Sequence, residues 1–248
     1  VAVQLGRGSF TVLAFARFRA DNAVNFVRIT IWALASGVFW ICGAFAAPEL
    51  RLWLWLLAVA IDSTGPISRF FVPGLHATHT STWDVSGEHM SERVSLFILI
   101  ALGESIIVTG GAFATLPFDL THLIAFGAAF TSTVLMWLLF FNHAERSGTE
   151  FIADADERGP IARAAYTYVP VLIVLGIVLA AVADAVVLEH ASRPLGLWTA
   201  ALISGGSAVY LAGNVLFKRA IGGPWLVTHL AGIAALGALT LVWPLLSA

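Results

Sequence analysis

The side chains able to do chemistry are few, and the foremost of them sits where water is scarce. Glu104 lies at the middle of the apolar run 94–113, inside His89-Met-Ser-Glu92-Arg93, an aliphatic stretch, and Leu102-Gly103-Glu104-Ser105. A run of that length crosses about 30 Å of hydrocarbon, so Glu104 is expected near a bilayer midplane. A charged carboxylate there costs at least about 2.5–3.5 kcal/mol, so such a group is neutralised, paired or reached by water. Its chemistry would be to take up and release a proton or a cation. The plainer alternative is a protonated Glu that bonds a neighbouring helix. Arg93 precedes Glu104 by eleven residues, which is about 20° around a helix and about 16 Å along it. His89 precedes Arg93 by four, so His89, Arg93 and Glu104 are expected on one polar stripe. Glu92 points about 100° away from Arg93. Glu92 and Arg93 also read simply as anchors at a membrane interface.

Other polar groups fall inside apolar stretches. Asp62 lies seven residues before Arg69, on nearly the same helical face. Asp184, Asn214 and His229 are each surrounded by apolar sequence, and His229 is a candidate partner for an acid. A weak metal alternative comes from His76-Ala-Thr-His79 and His89-Met-Ser-Glu92, with His143 on the same predicted side. Imidazoles and carboxylates so spaced suit a transition metal. The expectation is nevertheless that no metal and no cofactor is held. Cys42 lies alone in an apolar run and reads as a small buried hydrophobe, so no internal disulfide forms. No Gly-rich phosphate loop, GxSxG elbow or CxxC pair is present.

The elements that must position these groups are helices. Hydrophobic residues make up 59% of the 248 residues and charged residues 11%, well below the share in a soluble domain. The net charge of −2 gives no reason to expect a nucleic-acid partner. Apolar stretches long enough to cross a bilayer run roughly over 29–47, 51–68, 94–113, 120–141, 165–188, 195–217 and 224–246. The fold class expected is all-α: one transmembrane bundle over 1–248, of about seven complete spanning helices plus an N-terminal partial helix. The chain begins at Val1 with no secretory pattern, so residues 1–19 are expected to end a helix whose start lies upstream. Gly65-Pro66 should break the second helix, and Pro170 should kink the fifth. Small residues should line helix contacts: Ala101, Ser105 and Thr109 in the third helix, and Ser204, Ala208 and Ala212, beside Gly205, Val209 and Gly213, in the sixth.

Eleven of the thirteen Lys and Arg residues fall on one side of this arrangement, leaving only Arg51 and Arg193 on the other. The positive-inside rule makes the basic side cytoplasmic. The loops near residues 80 and 150 are then inside, and the C-terminus is outside.

The stretch His89–Gly110 resembles the signature of the low-temperature-requirement protein A (LtrA) family of bacterial membrane proteins. The matching elements are His89, Glu92-Arg93, the aliphatic run, and Leu102-Gly103-Glu104-Ser105. Asp62 with Gly65-Pro66, and Trp137-Leu-Leu-Phe-Phe141, are looser similarities. The resemblance implies a multi-pass protein of the bacterial inner membrane associated with growth in the cold. It supplies no reaction or substrate. Three functions compete. The first is a secondary, proton-coupled transporter of an unidentified small molecule or ion, working through Glu104. The second is a membrane-embedded enzyme acting on lipid through the cytoplasmic His cluster. The third is a seven-helix sensor or scaffold. The surrounding partner is the lipid bilayer in each case, with a homo-oligomer as a further expectation.

Overall fold

The structure, a computed structural model, describes residues 1–18, 20–75, 87–142, 164–191 and 196–246. It divides into two compact units, Val1–Asp84 and Val85–Ala248.

The first unit holds α1 (Ala2–Phe18), α2 (Ala20–Phe45) and α3 (Pro48–Ile67). α1 and α2 run antiparallel: Phe15 stacks on Phe26 at 5.3 Å, and Gly8 backs onto Thr30. Residues 1–18 are therefore one arm of a helical hairpin. The expected start of the first apolar helix at 29 is corrected to Ala20. Its first turns are polar, and Arg28 anchors them by donating to Asn25 Oδ1 at 2.9 Å and to the Leu75 carbonyl. α3 begins at Pro48, whose missing N–H costs nothing in a first turn. It ends one residue after Pro66, where Arg69 and Phe70 adopt positive φ of 55° and 50°. That left-handed step is costly for residues with a Cβ. It is held by the Phe70 N–H, which donates to the Gly65 carbonyl at 2.8 Å.

The second unit holds α4 (Gly87–Ala114), α5 (Leu120–Phe140), α6 (Val169–Glu189), α7 (Leu197–Ala220) and α8 (Val227–Leu246). A π-helical turn, Ala164–Tyr168, leads into α6. Pro170 accounts for it, because its absent N–H leaves an upstream carbonyl without its usual partner. The core is formed by Ile98 and Leu102 of α4, Met136 and Phe140 of α5, Ile173 and Ile177 of α6, and Tyr210 and Phe217 of α7. α6 and α7 make the tightest pair. A Cβ on Gly176 would fall 2.4 Å from the Tyr210 nitrogen, and one on Gly206 would fall 2.8 Å from the Ala180 nitrogen. Between lipid-bathed helices, close backbone approach of this kind replaces hydrophobic drive. The expected stripe on α7 is thus turned. Gly213 does lie at the contact, but Gly206 takes the place expected of Gly205, which meets open space. On α4, Ser105 and Thr109 are buried as expected, and the Ser105 Oγ and Thr133 Oγ1 of α5 lie 3.3 Å apart.

Among the described residues six helices are long and apolar enough to span a membrane: Ala23–Phe45, Pro48–Ile67, His89–Ala114, Leu120–Phe140, Tyr166–Glu189 and Leu197–Ala220. Among the described residues the expected seventh is a shorter apolar stretch, Val227–Trp243. Their outward faces are apolar too, with Ile100 70% and Ile107 68% exposed. Helices apolar all round suit a lipid solvent and not water. Cys42 belongs to such a face: it is exposed, which corrects its reading as buried.

Candidate intramembrane acid site

α4 sorts its residues by face. Ser91, Val94, Ser95, Ile98, Leu102, Ser105 and Thr109 form its buried stripe. Glu104, one residue before Ser105, is turned about 100° out of that stripe and is exposed. Among the described residues it has no hydrogen-bond or ion-pair partner. The bond between helices that a structural Glu would make is made by its neighbour Ser105 instead. Glu104 lies ten residues, about 15 Å, from the end of α4 at Ala114, deep within the span.

The other expected site residues gather only in part. Arg93 is exposed at the start of α4, on the face of Glu104 but about 16 Å away along the axis. His89 meets Glu92: its Nδ1 lies 3.6 Å from Glu92 Oε2, with the side chains 79% and 69% exposed. The polar group opening α4 therefore also pairs i with i+3, at the His89-Met-Ser-Glu92 spacing seen in the sequence, while His89 and Arg93 remain one turn apart on the same helix. Asp62 accepts a hydrogen bond from Trp40 Nε1 at 3.1 Å across the α2–α3 pair. It does not share a helical face with Arg69, because α3 ends at Ile67 and the chain turns at Arg69. His229 is buried on α8, which packs on α7. Neither of those helices carries an acid, so the pairing expected for His229 is not with its nearest helix. Asp184 is half-buried on α6 and has no partner among the described residues.

His76, His79 and His143 lie outside the described residues. Among the described residues no three His, Cys, Asp or Glu side chains come together as a metal site.

One polar pair escaped the sequence reading. Asp119 caps α5, its Oδ1 accepting from the His122 backbone N–H at 2.9 Å. The same oxygen lies 2.8 Å from His122 Nδ1. That backbone bond, and then the bond to the His122 ring, hold the Asp119 carboxyl below its ordinary 3.8. The signal was legible: an Asp directly before an apolar helical run is a favoured cap. It lies just outside the span, so it is a cap and not an intramembrane group.

The family model described as bacterial low temperature requirement A protein (LtrA) matches residues 1–248. An uncharacterized protein of Rhizobium meliloti (strain 1021) is similar, with 35% identity over 240 residues, covering 96% of this chain and 58% of that protein. The chain thus spans less than two thirds of the length of that curated relative. No solved structure matches the chain.

Proposed function

We propose that this chain, which belongs to the bacterial low temperature requirement A (LtrA) family, moves a small solute or ion across the membrane by a proton-coupled route in which Glu104 titrates. It is a multi-pass membrane protein by its apolar spans and its family. The observation that carries the functional reading is the placement of Glu104: deep in a span, out of the packing stripe, and without a partner among the described residues. A carboxyl retained for packing would spend its hydrogen bonds on a neighbouring helix, as Ser105 does. One left open to exchange is what a coupling site needs, because both protonation states must be reachable. The positive-inside rule supports insertion in the bacterial inner membrane with the starts of α4, α6 and α8 toward the cytoplasm and the C-terminus outside.

Proteoliposomes loaded with a pH-sensitive dye test the reading. Amino acids, sugars, organic acids and inorganic cations are presented one class at a time. The expected result is a protein-dependent change in internal pH with one class, abolished in Glu104→Gln. Proton movement that is equal in wild type and Glu104→Gln would remove Glu104 from the mechanism.

A further inference from the structure

Asn214 is the most deeply buried amide side chain described in the second unit, 1% exposed on α7. Its Nδ2 donates to the Tyr210 carbonyl of its own helix at 2.9 Å, which fixes the amide's orientation. Its Oδ1 is left buried with no hydrogen-bond partner. An acceptor stranded in an apolar interior is strongly disfavoured unless a donor reaches it.

The packing of α8 shows where that donor belongs. A Cβ on Gly232 would lie 3.1 Å from Leu211 Cδ1, so Gly232 faces Leu211 across the antiparallel α7–α8 pair. One turn along each helix from that contact brings Asn214 and His229 to the same level. His229 shares the face of Gly232, three residues before it, and is 5% exposed. Its Nδ1 lies 3.4 Å from Thr228 Oγ1. Since Asn214 Oδ1 has no partner, the imidazole does not bond it directly.

We propose that Asn214 and His229 bound a hydrated polar site between α7 and α8, in which a water molecule donates to Asn214 Oδ1 and meets the His229 ring. Water fits the chemistry: it supplies the donor that the amide oxygen lacks, and it suits either tautomer of the imidazole. The site stands apart from Glu104 and does not depend on the transport reading.

The test is thiol accessibility in the full chain, reconstituted in lipid, on a Cys42→Ser background. Methanethiosulfonate ethylammonium reacts with thiolates, which form only where water reaches. The reaction is balanced: the thiolate attacks the reagent sulfur, a disulfide forms, and methanesulfinate leaves. Asn214→Cys and His229→Cys should each react at least about ten times faster than Ser204→Cys, a buried control on α7. Thermal stability near that of the Cys42→Ser parent establishes that each variant is folded; if Asn214→Cys is unstable, the His229→Cys thiol is read in an Asn214→Ser background, where the hydroxyl still holds water and the rate should stay at least about ten times that of Ser204→Cys. Rates for Asn214→Cys and His229→Cys no faster than for Ser204→Cys would overturn the site. Rapid reaction of only one of the two would overturn its shared character.

Discussion

At the scale of single residues, the same chemical type has different work in different places. Asp119 is spent on a helix cap, Asp62 on a Trp40 indole, and Glu104 on nothing among the described residues. The cap makes a signed prediction. The Asp119 carboxyl is depressed in the folded state, so its contribution is present above its ordinary 3.8 and is lost as pH falls through the lower folded value. Asp119→Ala should therefore lower the melting temperature of the solubilised protein at neutral pH, with the difference from wild type shrinking below about pH 4. A difference that stays constant across that range would show that the carboxylate is not the stabilising form. Glu104 was conspicuous in sequence as an acid at the centre of a long apolar run, and in the structure it falls within the apolar helix His89–Ala114. Asn214 also stood out as a polar group in apolar sequence, but no pattern tells whether such an amide is satisfied, so its unpartnered Oδ1 was not legible. The His89-Met-Ser-Glu92 spacing was legible as well, and in space the two side chains do meet, at 3.6 Å.

At the scale of elements, spans were legible and contact faces were not. Hydrophobic length marks a helix whatever it packs against. The face is a different matter in Ser204-Gly205-Gly206-Ser207-Ala208, where small residues look in every direction and only the partner decides. A helix over residues 1–19 was expected, but its pairing with α2 was not, because Asp21, Asn22, Asn25 and Arg28 keep the start of α2 out of the apolar run. The face assignment on α6 and α7 is open to a paired test. Gly176→Ala should destabilise by about 1–3 kcal/mol, since its new methyl meets the Tyr210 backbone. Gly205→Ala, with open space around it, should be neutral or stabilising by up to about 1 kcal/mol through helix propensity. Thermal melts of the two variants check both signs, and equal losses would mean that the tight face is wrongly identified.

At the scale of the whole molecule, charge and hydrophobicity carry the account, because the bilayer acts as solvent and Lys and Arg set orientation. With Cys42 replaced by Ser, a cysteine at Phe118, which is 85% exposed beyond the end of α4, should be labelled from outside intact cells. One at Arg219, in the last turn of α7 and on the expected cytoplasmic side, should not be. Reversed labelling would invert the proposed topology. The central claim, however, is that Glu104 is a working group and not a packing residue. The most direct measurement compares wild type with Glu104→Gln in two readouts, the melting temperature of the purified protein and rescue of growth in the cold in a strain lacking the gene. Gln keeps the size and most of the hydrogen bonding of a protonated Glu but cannot titrate. The account predicts an unchanged melting temperature with rescue lost; full rescue by Glu104→Gln would contradict it.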